Sequence, residues 1–89
     1  MKANFKKINV EVEFNEFQEL DIAKQIGNFI HANTPDIGLD DVAREIYHSE
    51  GEIEISEKHA KDIVVMVSSD VCMFVAAVKK AIINALTKE

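Results

Sequence analysis

Three histidines, His31, His48 and His59, are the side chains best suited to metal binding. Neutral imidazoles, together with carboxylates, are common ligands of zinc and nickel in proteins. No two of these histidines have the four-residue spacing that places two ligands on one helix face. His31 and His48 fall near the C-termini of predicted helices, where the helix dipole favours a cation. We therefore expect structural histidines, without a metal site or a cofactor.

Carboxylates are plentiful, and two of them held close together can act as acid and base in hydrolysis. Glu11 and Glu13 alternate along one predicted strand and Glu52 and Glu54 along another, which turns each pair towards solvent. If the two strands are neighbours, these four like charges share one acidic sheet face and repel each other. Such a face has two explanations: a basic partner docks on it, or it protects a sheet edge from pairing with other chains.

No other part of the sequence has the spacing of a catalytic motif. It contains no nucleophile beside a base and no glycine-rich phosphate loop. Cys72 is the only cysteine and lies within an apolar run, which excludes an intramolecular disulfide and indicates a buried thiol. We expect a protein without enzymatic activity.

Charge is distributed unevenly along the chain. Residues 11–57 contain thirteen acidic residues against Lys24 and Arg44, a net charge of −11, although the whole chain carries −6. An acidic centre repels a phosphate backbone, so nucleic-acid binding is unfavourable unless the lysine-bearing ends converge on one face. Those lysines are Lys2, Lys6 and Lys7 near one end and Lys79, Lys80 and Lys88 near the other. Their convergence would favour the alternative function, a DNA-binding transcriptional regulator.

The N-terminal third of the sequence has the pattern of a β-hairpin. A half-buried strand is predicted from Phe5 to Phe14, because Ile8, Val10, Val12 and Phe14 alternate with polar residues and share one side of it. Asn15-Glu16 can turn the chain, and residues 17–20 then form a short return strand. Residues 52–55 predict another short strand, which we expect to pair with the N-terminal strand or hairpin because it is too short to stand alone.

Helical periodicity predicts four helices around these strands. The first runs from Ile22 to Ala32 with Asp21 as its N-cap, and the second spans residues 39–47 with acidic residues in its first turn. Ser56 caps the third, and the fourth begins at Val71 after a Ser-rich interruption. The predicted fold is a single α+β domain over residues 1–89, with a small sheet packed against the helices.

The fourth predicted helix begins with the apolar run Val71–Val78. Either it is a central helix wrapped by the others, or one of its faces is left for a partner. The candidate partner-binding residues are Met73, Phe74, Ala77 and Ala81, and the partner is another protein or a second copy of the chain. A rival interpretation pairs residues 63–67 and 71–75 in a hairpin, because both runs are rich in β-branched residues.

Neither export nor membrane insertion is favoured by the sequence. The N-terminal residues supply no continuous apolar segment for a signal peptide. The longest apolar run, Val71–Val78, is far shorter than the ~20 residues needed to span a bilayer. We expect a soluble, cytoplasmic protein.

The middle of the chain, from Asp21 to Asn28 and on through Ile46–Ile55, resembles small uncharacterised proteins of bacterial prophages and mobile elements. The resemblance covers roughly half of the chain and includes no catalytic signature. It implies a virion-assembly accessory or another phage-borne interaction protein that acts in the bacterial cytoplasm. It assigns no role to any single residue.

Overall fold

Four helices pack with two small antiparallel sheets in the computed structural model, which describes residues 1–87. The predicted α+β fold class is confirmed. In chain order the elements are β1 (Lys2–Ala3), β2 (Ile8–Glu13), β3 (Glu16–Leu20), α1 (Ala23–Asn33), α2 (Ile37–Tyr47), β4 (Ile53–Glu54), α3 (Glu57–Ser68) and α4 (Ala76–Thr87).

Strands β2 and β3 form the predicted N-terminal hairpin. Ile8 and Val10 are buried, as the alternation predicts. The chain turns at Phe14 and Asn15, one residue earlier than predicted. Asn15 has a φ of 66°, in the left-handed region that asparagine tolerates better than most residues. Its amide donates a hydrogen bond to the Glu11 carboxylate at 2.8 Å, which fixes the turn.

The predicted start of the first long strand, at Phe5, is wrong. Asn4 closes a turn there: its carbonyl accepts from the Lys7 amide at 3.3 Å and its side chain from the Lys6 amide at 3.0 Å. Phe5 lies inside this turn with a fully buried ring. Its carbonyl accepts a hydrogen bond from the Ile22 amide at 2.9 Å, so the turn is attached to the start of α1.

The short strand predicted over residues 52–55 is present as β4, but it pairs with β1 and not with the hairpin. Ala3 lies opposite Ile53, and the Ile55 amide donates to the Met1 carbonyl at 2.8 Å. The strands therefore form two separate two-stranded sheets. A two-residue strand such as β1 leaves no alternation in a sequence, which is why it was not predicted.

Helices α1 and α2 pack closely against each other. A Cβ atom added to Gly27 would lie 2.9 Å from both the Ala43 carbonyl oxygen and Tyr47 Cβ, so only glycine fits at the crossing. The N-cap of α2 is Asp36, whose carboxylate accepts from the Gly38 amide at 2.9 Å. The N-cap of α1 is Ile22 and not the predicted Asp21, although Asp21 still accepts from the Ala23 amide at 3.2 Å.

Helix α3 begins after Ser56, as predicted, and the Ser56 hydroxyl accepts from the His59 amide at 3.2 Å. The predicted fourth helix is wrong at its start, because α4 begins at Ala76. The rival hairpin is also wrong, since residues 63–67 belong to α3. Residues 69–75 reverse the chain so that α4 can pack against α3 and β2, and a continuous helix from Val71 would leave less room for that reversal.

The core lies where the hairpin, the turn at Phe5 and the helices meet. Cys72 is buried, as expected, and holds the reversing segment against the core. The largest fully buried side chains are Phe5, Val10, Ile26, Ile30, Ile46, Ile55, Ile63, Val67 and Ile82.

Candidate functional site

Large apolar side chains at the surface are the feature that the core does not explain. In the described part of the chain they are Val12, Phe14, Phe17, Ile37, Val65, Val71, Met73 and Val75. Three of them lie at the tip of the hairpin and three in the segment that precedes α4. Single exposed apolar residues are ordinary on protein surfaces, but clusters of them mark interaction sites.

A groove runs between the tip of the hairpin and α4, with a volume of about 780 Å³. We call it the hairpin–α4 groove. This volume lies within the ~300–1,000 Å³ typical of ligand sites. The groove is lined by Asn9, Glu11, Val12, Glu13, Phe14, Phe17, Ala76, Ala77, Lys80, Ala81 and Asn84.

The apolar residues of this groove are placed by the geometry of the hairpin. Phe17 lies opposite Glu11 in the β2–β3 register, and Val12 sits at the irregularity between Glu11 and Glu13. Phe14 occupies the turn itself and is 94% exposed, whereas Phe17 and Val12 are 59% and 49% exposed. A turn position requires no aromatic side chain, so the fold does not account for Phe14.

The groove brings together four of the eight predicted site residues. Glu11 and Glu13 come from the predicted acidic face, and Ala77 and Ala81 from the predicted partner-binding set. Ala81 is buried at the floor of the groove, where its small side chain leaves space above it.

The other four predicted site residues lie elsewhere. Met73 and Phe74 precede α4, so the helical face that was to carry them does not exist. Met73 is 89% exposed, but Phe74 packs against Phe29 with ring centroids 5.7 Å apart. Glu52 and Glu54 belong to the β1–β4 region and not to the hairpin, so the single acidic sheet face of four glutamates is wrong.

Sequence reasoning missed the aromatic residues of the groove. The alternation of Ile8, Val10 and Val12 continues to Phe14 and so predicts a buried ring, whereas the structure exposes it. The signal that could have corrected this is Asn15, since asparagine readily adopts the left-handed conformation of a tight turn. A residue beside such an asparagine belongs to the turn and points away from the core.

Two glutamates, Glu11 and Glu13, line the hairpin–α4 groove, and the hairpin that carries them is acidic throughout. Residues 8–20 contain four glutamates and no lysine, arginine or histidine. Lys80 of α4 is the one basic side chain among the described residues that line the groove. The described ion pairs, Lys6 with Asp21 and His31 with Asp40, both lie outside it. The groove thus combines an apolar lining with a field that favours cations.

A second, smaller cavity of about 180 Å³ lies at the surface between α1 and α2, and we call it the polar pocket. His31 Nδ1 and an Asp40 carboxylate oxygen are 2.5 Å apart, and this hydrogen bond joins the two helices across the pocket. It is lined by Gly27, Asn28, His31, Asp40, Ala43, Arg44, Tyr47 and His48.

The histidines do not assemble a metal site in the described part of the chain. His31 and His48 share the polar pocket with a single carboxylate, that of Asp40, and His59 lies elsewhere. Within residues 1–87 no group of three or more histidine, cysteine or carboxylate side chains is placed to hold a metal ion.

The lysines of the two chain ends have different surroundings. Lys6 pairs with Asp21 at 3.7 Å, and Lys79 donates to the Ser69 carbonyl at 3.2 Å. Lys80 lines the hairpin–α4 groove, whereas Lys2 lines a different depression beside α3. Lys88 lies outside the described residues.

Comparison with family models, curated proteins and solved structures finds no match to this chain. Within residues 1–87, none of the helices combines the length and the apolar character that crossing a bilayer requires. Function must therefore be argued from the two surface sites themselves.

Proposed function

We propose that this protein is a non-enzymatic interaction module that binds a polypeptide partner in the hairpin–α4 groove. The observation that carries the proposal is Phe14, an aromatic ring 94% exposed in a turn beside an apolar groove. Aromatic side chains are enriched among the residues that dominate binding energy at protein interfaces. Full burial of one such ring against a partner contributes about 1.5–3 kcal/mol.

The lining of the groove suits a polypeptide segment. Phe14, Phe17 and Val12 form an apolar wall on the hairpin. On the opposite side, Ala76 and Ala77 of α4 have small side chains that take up little of the groove. Small residues on a helix let another backbone approach closely. A partner can therefore place apolar side chains between the hairpin tip and α4.

Charge defines the chemistry of the partner. Glu11 and Glu13 line the groove beside the apolar wall, and Glu16 and Glu19 add negative charge to the same hairpin, so we expect it to attract a segment whose apolar residues alternate with lysine or arginine. A second copy of the chain would bring the same glutamates against each other, since a two-fold interface opposes identical surfaces. The partner is thus a basic segment of another protein, and we do not propose self-association through this groove.

The alternative, a DNA-binding regulator, is less well supported. The groove rim would repel phosphates, and Lys6 and Lys79 already have partners within the fold. The narrower assignment to prophage or virion assembly and the cytoplasmic location stay predictions.

Three synthetic peptides test the proposal directly. They share one pattern of leucine and phenylalanine residues and differ at the intervening positions, which are all lysine, all glutamine or all glutamate. Binding is followed by amide chemical shifts of the ¹⁵N-labelled protein. We expect the lysine peptide to bind most tightly and to shift the amides of Val12, Phe17 and Ala77.

Matched variants locate the binding surface. The double variant Phe14→Ser, Phe17→Ser should weaken binding of the lysine peptide by about tenfold or more, because two apolar anchors are lost. Ile37→Ser removes an apolar side chain that is 81% exposed and lies outside the groove, so this variant should bind as the wild type does. Equal binding by all variants, or shifts confined to other surfaces, would remove the groove as the docking site.

The charge of the partner is tested separately. Glu11→Gln with Glu13→Gln should weaken binding of the lysine peptide and reduce its salt dependence, whereas Glu52→Gln with Glu54→Gln should not. Equal affinity for the three peptides would leave the groove as the binding site but would contradict the proposal that the partner is basic.

A further inference from the structure

The polar pocket between α1 and α2 plays no part in the proposed binding of a polypeptide, and its residues have a different chemistry from those of the groove. Between residues 11 and 57 the chain has only four side chains that can carry positive charge: Lys24, His31, Arg44 and His48. Three of them line the pocket, and the fourth, Lys24, lies 5.7 Å from the ring centroid of Tyr47, which also lines it. We propose that this pocket binds a phosphate group.

Helix spacing explains how these side chains converge. Lys24, Asn28 and His31 recur at intervals of four and three residues along α1, and Asp40, Arg44 and Tyr47 do the same along α2. Residues at these intervals lie on one helix face. Because Gly27 allows the two helices to approach closely, the two polar faces meet at one narrow cleft.

Ordinary helix stabilisation accounts for only part of this cluster. His31 in the last turn of α1 and His48 at the C-cap of α2 lie where the helix dipole favours a cation. Lys24 is the second residue of α1, at the positive end of that dipole, where a cation is unfavourable. The contact of its ammonium group with the Tyr47 ring places Lys24 beside the pocket, where an anion bound by Arg44 would offset this unfavourable position.

The one carboxylate in the pocket is already engaged. Asp40 accepts the hydrogen bond of His31, so its charge is directed to the imidazole. Within residues 1–87 Arg44 takes part in no ion pair. Its guanidinium is exposed and can bind two oxygens of a phosphate at once, while Asn28 and His48 supply further donors.

The size of the pocket limits the ligand. A volume of about 180 Å³ is below the ~300–1,000 Å³ of pockets that enclose whole ligands or cofactors. It holds one oxyanion group, and the remainder of a larger ligand would extend into solvent. Inorganic phosphate and a phosphorylated side chain both present this chemistry.

Titration with inorganic phosphate and with O-phosphoserine tests the site, with chloride at matched ionic strength as the reference. The readout is the amide shifts of Gly27, Asn28 and His48. We expect saturable shifts with both probes, and tighter binding of phosphoserine would indicate a protein-borne phosphate as the source.

Variants of exposed residues keep the test independent of folding. Arg44→Gln should weaken phosphate binding by about tenfold, the effect of losing one charge-assisted contact, and Lys24→Gln should weaken it less. Lys61→Gln, an exposed lysine of α3, should bind as the wild type does. Shifts that do not saturate, or equal affinity in Arg44→Gln with an unchanged melting curve, would overturn the proposal. The result does not depend on whether the hairpin–α4 groove binds peptides.

Discussion

Gly27 sets the distance between α1 and α2. Of the three glycines, it is the one where an added methyl group would come closest to its neighbours. In Gly27→Ala the new Cβ would lie 2.9 Å from the Ala43 carbonyl oxygen and from Tyr47 Cβ. One of these neighbours is backbone, so the helices must move apart. We expect a loss of about 1–3 kcal/mol in the free energy of unfolding, measured by urea denaturation, although alanine is otherwise the better helix former.

Gly51 provides the matched control for this substitution. A Cβ atom added there meets nothing within 4 Å, and its φ lies outside the left-handed region. Gly51→Ala should therefore leave the free energy of unfolding unchanged or raise it by up to about 1 kcal/mol, because the unfolded chain loses freedom. If Gly27→Ala proved as stable as Gly51→Ala, the close crossing of α1 and α2 would be wrong.

Phe14 and Phe5 show that residue type alone does not predict location. Both phenylalanines bound the strand predicted from the sequence, yet Phe5 is fully buried and Phe14 is 94% exposed. The difference comes from turns, one closed by Asn4 and the other by Asn15. Both Asn-based turns interrupt the alternation and decide which aromatic ring enters the core.

At the scale of elements, local signals predicted α3 well because its boundary is fixed by its own residues. Ser56 is followed by a helical apolar pattern, and its hydroxyl accepts from the His59 amide at 3.2 Å. Ser56→Ala should lower the free energy of unfolding by about 1 kcal/mol, the usual effect of losing such a cap. Urea denaturation measures the loss.

The substitution Ser56→Asp is the control for this cap. Aspartate is an N-cap as good as serine, and its charge suits the helix N-terminus, so this variant should unfold at the wild-type denaturant concentration. A loss in Ser56→Asp equal to that in Ser56→Ala would mean that the hydroxyl does not act as a cap.

The boundary of α4 could not be predicted in this way. Val71 to Val75 carry apolar side chains at helix-compatible spacing, but Cys72 and Phe74 pack inward from a non-helical segment. The deciding requirement is tertiary: the chain must reverse after α3. The Val75 carbonyl then accepts from the Val78 and Lys79 amides at 3.0 Å and starts the helix.

Only part of the candidate site could be predicted, because its assembly also depends on tertiary packing. Glu11, Glu13, Ala77 and Ala81 are near one another because α4 packs along β2, a contact between distant parts of the chain. The sequence indicates the chemistry of each residue but not this pairing of elements. The aromatic residues of the groove depend on a turn placed one residue from its predicted position.

At the scale of the whole molecule, the acidic middle of the chain forms two surfaces of opposite character. Glu11 and Glu13 of the hairpin line the hairpin–α4 groove, whereas His31, Arg44 and His48 line the polar pocket. This separation is the basis for the two proposals, a basic segment at the groove and a phosphate at the pocket. Within residues 1–87 the carboxylates in ion pairs are those of Asp21 and Asp40, so most of the acidic charge described has no partner of opposite charge.

Unbalanced acidic charge should make the stability of the protein depend on salt. Folding concentrates a net charge of −6 into a body of 38 × 28 × 23 Å. At about 0.01 M salt the Debye length is about 30 Å, comparable with these dimensions, and at 0.15 M it falls to about 8 Å. Because the unfolded chain separates its charges more widely, screening relieves repulsion mainly in the folded state.

Adding sodium chloride from about 0.01 M to 0.15 M should therefore raise the melting temperature, followed by circular dichroism. Replacing Glu16 and Glu19 of β3 with glutamine should reduce this rise, because fewer glutamates of the hairpin then repel one another and salt has less repulsion to screen. Lys6→Gln removes the Lys6–Asp21 attraction, so it should leave the rise intact or increase it. A melting temperature that falls with salt would mean that attractive pairs outweigh repulsion, and the electrostatic basis for a basic partner would be lost.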